Sequence, residues 1–186
     1  MKRAPRVAAV QDISGFGRCS MTVALPVLSA MGAQCCPLPT AYLSAHTAFP
    51  ELGKAAFLDL TRELEQTQEH WAALGVALDA VYSGFIGSAG QIAAIRRFYE
   101  RFRGADTVVL CDPVMGDGGR PYRTYTPDMC RAMGELAALA DVITPNLTEA
   151  ALLLGEEYAD APGSETAARA WLERLSRDGR RSVVLT

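Results

Sequence analysis

Short apolar runs alternate along this chain with longer stretches of helical periodicity, and this alternation restricts the fold more than any other feature. Six runs predict strands: Arg6 to Val10, Cys35 to Ala41, Asp79 to Ser83, Thr107 to Cys111, Asp141 to Thr144, and Ser182 to Thr186. Several are apolar without a polar alternation, which is typical of strands covered on both faces. The alternation therefore predicts an α/β domain with a parallel sheet and helices on both faces.

Three helices are predicted from apolar residues that recur at spacings of three and four. The clearest extends from about Lys54 to Leu74. The other two follow from the stripes Ile92, Ile95, Tyr99 and Phe102, and Met21, Leu25, Leu28 and Met31. Pro26 falls inside the last of these and predicts a kink.

Charge and cysteine content exclude several classes of protein. The net charge is −3, and the 18 Lys and Arg residues are scattered, which gives no support for a nucleic-acid surface. No apolar run approaches the roughly 18 residues that span a membrane, and the apolar stretch Val7 to Val10 is too short for a signal peptide. The 5 cysteines are odd in number and lack CxxC spacing. We therefore expect a cytoplasmic protein with reduced thiols, one domain over residues 1–186, and no membrane or nucleic-acid partner.

In a parallel sheet, ligands bind beyond the carboxyl ends of the strands, so we expect the ligand-binding residues in the loops there. Gly15-Phe-Gly-Arg-Cys-Ser20 follows the first predicted strand and resembles part of a dinucleotide fingerprint. Its third glycine is replaced by Ser20, and the second strand has no acid to bind a ribose. A tight turn into a helix capped by Ser20 is the simpler interpretation, and backbone N–H groups facing a polar ligand are an intermediate one. The absence of a GxxxxGK[ST] motif excludes a P-loop enzyme.

Two later loops carry carboxylates. Asp112 directly follows a predicted strand, and Asp117 lies five residues further on. This pair fits a magnesium site held partly through water, and fits local backbone capping equally well. Asn146 and Glu149 have the spacing of a helix capping box, which is favoured over the alternative that they face a phosphate-bound metal. The two histidines, His46 and His70, do not indicate a metal site, and His70 is expected to face solvent.

Five stretches, taken in order, carry a resemblance that none carries alone. They are Val10-Gln-Asp-Ile-Ser-Gly-Phe-Gly17, Thr40-Ala-Tyr-Leu-Ser-Ala-His-Thr47, Ser83-Gly-Phe-Ile-Gly-Ser88, Cys111-Asp-Pro-Val-Met-Gly-Asp117 and Ile143-Thr-Pro-Asn-Leu-Thr-Glu-Ala150. Together they resemble the pyridoxal/pyridoxamine kinases of the ribokinase-like superfamily, from residue 7 to the end. The resemblance implies a three-layer Rossmann-like sheet of ribokinase type and ATP-dependent phosphorylation of the 5′-hydroxymethyl group of a B6 vitamer in B6 salvage. It also implies ATP as donor, Mg²⁺, and a homodimer, and it leaves a monovalent cation open.

Site residues are likewise implied by the resemblance. The vitamer would contact residues after the first, second and third predicted strands, namely Asp12, His46, Thr47 and Phe85. The nucleotide and its phosphates would contact Asp112, Tyr125, Asn146, Glu149 and Thr186, with Tyr125 in a flap over the phosphates. The metal would be served by Asp117 and Glu149. Relatives often carry Ser where this chain has Asp12, and an acid there would favour a cationic amine over an aldehyde.

A second departure concerns the catalytic Gly-x-Gly-Asp motif, which in such kinases follows the strand predicted at Ser182 to Thr186. The motif is absent from these 186 residues. We therefore expect no catalytic base within them, a C-terminally incomplete domain that forms the N-terminal two-thirds of a kinase, and no activity from this piece alone. Two alternatives stay open: a hydroxymethylpyrimidine kinase of the same superfamily, and a fragment that binds a vitamer or nucleotide without catalysis.

Overall fold

The computed structural model describes residues 3–47, 49, 52–158, 161–177 and 179–186. It divides into two units, Met1–Val108 and Val109–Thr186, each with its own set of internal contacts. The single domain expected from the sequence therefore stays a prediction, and the units are described separately below.

Unit 1 is a mixed sheet with three α-helices. Its elements are β1 (Arg6–Ser14), α1 (Met21–Ala30), β2 (Gln34–Leu43), a 3-10 turn (Leu52–Lys54), β3 (Phe57–Asp59), α2 (Thr61–Ala73), β4 (Ala80–Ser83) and α3 (Ala89–Phe102). The strands lie in the order β3-β2-β1-β4. β1 pairs in parallel with β2 and β4, and β3 pairs antiparallel with β2. β1 and β2 are thus each flanked by a strand on both sides, and β1 has parallel neighbours on both.

Helices cover both faces of this sheet. α1 packs its buried Met21 and Ala24 against Ala9 of β1. The next residue, Val10, points to the opposite face and pairs with Ser83 of β4. On that face the Ser83 hydroxyl is hydrogen-bonded to Tyr99 of α3. The prediction of a parallel sheet between helix layers is therefore confirmed for these strands.

Unit 2 repeats the parallel strand-helix pattern. Its elements are β5 (Val108–Cys111), β6 (Gly116–Asp117), β7 (Arg120–Pro121), α4 (Pro127–Ala137), β8 (Val142–Ile143), α5 (Leu147–Leu154), α6 (Glu165–Ser176) and β9 (Ser182–Val183). β8 pairs in parallel with β5 and β9. β6 and β7 form a separate antiparallel hairpin, which the sequence analysis did not predict.

The predicted helix from Lys54 to Leu74 is too long at its start. The helix begins at Thr61, and Phe57 lies in β3 with 55% of its surface exposed. The chain is extended there because it adds an antiparallel strand to the edge of β2, in register with Ala41 and Leu43. This pairing overrides the helical spacing of Phe57 with the residues that follow.

The apolar stripe predicted on α1 is also partly wrong. Met21 is buried, but Leu25 and Met31 are 42% and 76% exposed, and Ala24 takes the inward position instead. Ser20 stands at the N-cap with a φ of 50° but makes no side-chain capping hydrogen bond, contrary to the simpler interpretation of this turn. Pro26 lies inside the helix, which continues to Ala30.

Three further expectations concern membrane helices, disulfides and His70. None of the helices within the described residues is long and apolar enough to cross a membrane. None of the five cysteines, all of which are described, is joined in a disulfide. His70 is exposed, as expected.

Candidate active site

The start of α5 is organised by a reciprocal cap. The Asn146 side chain accepts a hydrogen bond from the Glu149 backbone N–H at 2.9 Å, and the Glu149 carboxylate accepts one from the Asn146 backbone N–H at 2.9 Å. This is a full capping box, so the favoured prediction for Asn146 and Glu149 is confirmed. It does not exclude a second role, because a carboxylate at a helix N-terminus can still face a cation.

Glu149 also binds the neighbouring loop. Its second oxygen, Oε1, accepts a hydrogen bond from the Met115 backbone N–H at 3.1 Å, although only 3% of the residue is exposed. The pKa of Glu149 is raised to about 7, first by burial and to a smaller extent by the Asp112 charge, against the opposing effect of its backbone hydrogen bonds. An uncompensated carboxylate in this position is costly, so a cation nearby would stabilise its charged form.

The β6–β7 hairpin is held on α5 by three side chains of one motif. Besides Glu149, the Asn146 amide donates to the Gly116 carbonyl at 2.9 Å, and the Thr148 hydroxyl accepts from the Gly119 backbone N–H at 2.9 Å. Thr148 is part of the motif from Ile143 to Ala150, but the sequence predicted no role for it. Its signal was only its place between Asn146 and Glu149.

The two aspartates of this loop lie in different environments. Asp112 follows β5 and accepts a hydrogen bond from the Thr144 hydroxyl at 3.1 Å; burial raises the pKa of its carboxyl group. Asp117 is exposed in β6, and its carboxylate accepts a hydrogen bond from the Gly118 backbone N–H at 2.7 Å. Among the described residues, no group of three or more His, Cys, Asp and Glu side chains is arranged to hold a metal ion.

Tyrosines of the same loop divide between core and surface. Tyr125 is 7% exposed, immediately before α4. Tyr122 is 37% exposed, and burial raises its pKa, as do the charges of Glu149, Asp117 and Asp112. The phenol of Tyr122 therefore lies close enough to the three carboxylates to be affected by their charge. Tyr122 was not predicted as a site residue from the sequence. The feature that could have indicated it is its position as an aromatic residue in a glycine-rich loop.

Thr186 comes close to the same motif through its backbone. Its N–H donates to the Pro145 carbonyl at 3.1 Å, one residue before the Asn146 cap. The structure thus brings together five predicted residues of unit 2 around the ends of β5 and β8: Asp112, Asp117, Asn146, Glu149 and Thr186.

The predicted residues of unit 1 lie in the last part of β1 and in the loops after β2 and β4. Asp12 is 3% exposed in β1 and accepts a hydrogen bond from the Ser14 hydroxyl at 2.9 Å. His46 and Thr47 follow β2. The His46 backbone N–H donates to the Phe16 carbonyl at 2.9 Å, and the Phe16 and Phe49 rings lie 5.1 Å apart, so the loops after β1 and β2 contact each other.

Phe85 stands in a loop that is fastened from α3. The Thr40 hydroxyl donates to the Phe85 carbonyl at 3.1 Å. Gln91, fully buried, accepts from the Gly87 backbone N–H at 2.8 Å and donates to the Thr40 carbonyl at 2.7 Å and the Thr61 hydroxyl at 3.0 Å. Gln91 was not singled out from the sequence, where a lone glutamine in a helix carries no distinguishing signal.

A family model named phosphomethylpyrimidine kinase matches residues 25–186. The chain belongs to the phosphomethylpyrimidine kinase family. Curated relatives include the pyridoxal kinases PdxY of Deinococcus radiodurans, 32% identical over 97% of this chain, and of Pseudomonas syringae pv. tomato, 30% identical over 94%. The chain spans 61% of the length of each of these relatives.

Solved structures of the family share the whole architecture. A candidate phosphomethylpyrimidine kinase from Bacteroides thetaiotaomicron, in a crystal form with pyridoxal, is 43% identical and has a TM-score of 0.90 over 98% of this chain and 63% of its own. Pyridoxal kinase from Lactobacillus plantarum is 34% identical, with a TM-score of 0.87 over 98% and 63%. The predicted ribokinase-like α/β fold and the resemblance to pyridoxal kinases are therefore confirmed.

Proposed function

We propose that the full-length protein is a kinase that transfers phosphate from ATP to the 5′-hydroxymethyl group of pyridoxal, pyridoxamine or pyridoxine, a step of B6 salvage. One observation carries the proposal: the 43% identical Bacteroides protein, which matches this chain over 98% of its length, has been crystallised with pyridoxal. The curated pyridoxal kinases at about 30% identity support the same reaction.

In this proposal unit 2 binds the nucleotide phosphates. Asn146 and the N-terminal turn of α5 provide positive dipole ends for phosphate oxygens. Asp112 would lie by the phosphates, Asp117 and Glu149 would face the cation that accompanies them, and Thr186 would lie beside the nucleotide. Tyr125 would act in the flap through its neighbour Tyr122, because Tyr125 itself is buried and Tyr122 is the more exposed ring.

The carboxylates of unit 2 fit Mg²⁺ in its usual hydrated form. Mg²⁺ prefers oxygen ligands and is commonly bound by one or two carboxylates, waters and substrate phosphates. Asp117 and Glu149 supply such carboxylates, and the burial that raises the pKa of Glu149 favours a cation beside it. Both Glu149 oxygens already accept backbone hydrogen bonds, so we propose contact through water. When bound, the ion would neutralise charge on the transferring phosphoryl group.

In unit 1 the vitamer would be bound by residues at the ends of β1, β2 and β4. Asp12 would contact a ring substituent, His46 and Thr47 would border the ring, and Phe85 would pack against it. Gln91 would hold the Phe85 loop in place without touching the substrate, because its hydrogen bonds join the Gly87 N–H of that loop to the Thr40 carbonyl of β2.

The test is turnover by the full-length protein with ATP and Mg²⁺, using pyridoxal, pyridoxamine, pyridoxine and hydroxymethylpyrimidine as acceptors. We expect phosphorylation of at least one B6 vitamer with kcat/KM at least tenfold above that for the pyrimidine. Preference for the pyrimidine would favour the second candidate, a hydroxymethylpyrimidine kinase, which the family model supports by name. Binding of a vitamer or nucleotide without transfer would favour a binding protein.

We also propose that the protein is a cytoplasmic homodimer. The absence of disulfides among its five cysteines supports a reducing compartment. α1 carries no charged residue and exposes Val23, Leu25 and Val27, and such an apolar surface favours self-association. Light scattering of the full-length protein should give twice the monomer mass, and Val27→Glu should shift it toward the monomer. A monomer in the unsubstituted protein would refute the dimer.

A further inference from the structure

Asp12 occupies a particular place in the sheet of unit 1. It lies near the carboxyl end of β1, the strand enclosed between β2 and β4. The pairing register of β1 with β2 shifts between Gln11 and Ile13, so Asp12 falls at the irregularity and has no paired residue in β2. In parallel sheets this edge of the strands is where ligands bind, and an irregular position there leaves room for one.

Among the described residues, no cationic side chain forms an ion pair with Asp12. Only 3% of the residue is exposed, and its Oδ2 atom accepts one hydrogen bond, from the Ser14 hydroxyl. Removing a carboxylate from water is costly unless a cation or several donors replace the water, and a single hydroxyl is weak replacement.

The second carboxylate oxygen points to accessible space. Within the described part of the chain, every side-chain oxygen or nitrogen that is sealed from solvent has a hydrogen-bond partner. Oδ1 of Asp12 accepts no hydrogen bond from these residues, so it must border space that a small polar group can reach. Asp12 therefore presents a largely desolvated acceptor at the ligand-binding edge of the sheet.

We infer that Asp12 binds a cationic amino group of the substrate, and that it makes the protein select an aminomethyl-substituted ring over the same ring with a hydroxymethyl or aldehyde group. An ammonium supplies both the charge and the donors that the site lacks, and such charge-assisted hydrogen bonds are the strong ones. A neutral hydroxyl would supply one donor and no charge. The inference rests on the proposed function, and among B6 vitamers it singles out pyridoxamine.

The experiment compares two ligands that differ at this one substituent, pyridoxamine and pyridoxine. Their Kd values are measured by calorimetry with the full-length protein and with Asp12→Asn, which keeps the shape and removes the charge. We expect the unsubstituted protein to bind pyridoxamine more tightly, and the substitution to reduce that preference about tenfold or more. Asp79→Asn is the matched control: it removes one negative charge from the same unit, at the start of β4, and should leave the preference unchanged.

Turnover is measured separately, so that two failures can be told apart. If no vitamer is phosphorylated but the Kd ratio falls in Asp12→Asn, the kinase proposal is wrong and the role of Asp12 stands. A Kd ratio that changes less than twofold, or equal weakening of both ligands, would overturn the role of Asp12. Should Asp12→Asn fail to fold, Asp12→Ser replaces it, and lack of any pyridoxamine preference in the unsubstituted protein overturns the inference by itself.

Discussion

The candidate site residues of the two units are supported in opposite ways. In unit 2 the candidate functional side chains are themselves the supports, because Asn146 and Glu149 bind the backbone of the hairpin loop as well as capping α5. In unit 1 the supports are other residues: Gln91 holds the Phe85 loop, and Phe16 packs on Phe49. The candidate residues of unit 1 can therefore be substituted without removing the contacts that hold their loops. Those of unit 2 cannot, because they make these contacts themselves.

The contrast has a consequence for mutagenesis. A substitution at Asn146 or Glu149 should reduce stability and activity together, so loss of activity alone would not identify a phosphate or metal contact there. A substitution at Asp12 should alter ligand preference with little change in stability, because it supports only Ser14. Substitutions of the supporting residues themselves therefore test this difference between the two units.

The largest effect is expected at Gln91. Gln91→Leu removes the acceptor of the Gly87 N–H and the donor to the Thr40 carbonyl, in a place with no exposure to solvent. The Gly87 N–H would lose its acceptor and the Thr40 carbonyl would keep only its bond from the Leu60 N–H. With the bond to the Thr61 hydroxyl lost as well, the free energy of unfolding should fall by about 4 kcal/mol. The measurement is urea denaturation followed by circular dichroism.

Gln68→Leu is the matched control for Gln91. Gln68 is also buried in unit 1, but its amide makes one hydrogen bond, to the Ala94 carbonyl at 3.2 Å. We expect a cost of about 1 kcal/mol. Equal losses from the two substitutions would mean that Gln91 supports the loop no more than an ordinary buried glutamine does.

In unit 2 the hairpin leaves no room for a side chain at Gly116. A Cβ atom there would lie 2.4 Å from the Arg120 carbonyl oxygen and 2.8 Å from the Pro121 Cα, both backbone atoms that cannot rotate away. Gly116→Ala should cost about 3 kcal/mol and displace the hairpin from α5. Gly163→Ala, where no atom lies within 4 Å, is the control and should be nearly neutral. Similar denaturation midpoints for both variants would show that the hairpin adjusts without strain.

A comparison of two N-cap residues of unit 2 distinguishes the stability gained from capping a helix from the stability gained by holding the hairpin loop. Asn146 caps α5 and binds the Gly116 carbonyl, whereas Ser164 caps α6 by accepting from the Ala167 N–H at 3.3 Å, with no described bond to another loop. Asn146→Ala should cost about 2 kcal/mol and Ser164→Ala about 1 kcal/mol. Thermal unfolding midpoints measure both. A Ser164 variant as unstable as the Asn146 variant would remove the evidence that the hairpin bond contributes.

Whether a feature could be predicted from the sequence depends on how far apart in the sequence the interacting residues are. The capping box at Asn146 and Glu149 depends on residues three apart, so spacing alone revealed it. The strand at Phe57 depends on pairing with β2, some sixteen residues earlier, and the helical spacing around it gave the wrong answer. The candidate site residues were predicted from the family resemblance, because the order of the five motifs along the chain is distinctive, and their roles stay predictions.

The supports of the site were not predictable for the same reason. Gln91 acts on Thr40, which is 51 residues away in the sequence, and Glu149 acts on Met115, 34 residues away. No local pattern reports which backbone group a buried amide or carboxylate will meet. Likewise Tyr122 gains its significance only from the three carboxylates that the folded loop brings around it.

The smallest effect is expected at Asp79, immediately before β4 and at the opposite end of the strands from the candidate site residues of unit 1. The Arg3 guanidinium and then the Arg6 backbone N–H hydrogen-bond to Asp79 and lower the pKa of its carboxyl group. Because the folded-state pKa lies below the unfolded value of about 3.9, this contribution to stability is complete above that pH and is lost as the pH falls through the folded-state value. Asp79→Asn should thus be less stable than the unsubstituted protein at pH 7, and the difference should shrink below about pH 4. Urea midpoints for both proteins between pH 7 and pH 3 measure it. A constant difference across that range would show that Asp79 contributes through packing and not through charge. The contact between the starts of β1 and β4 would then depend on uncharged interactions, as the support of the Phe85 loop by Gln91 does.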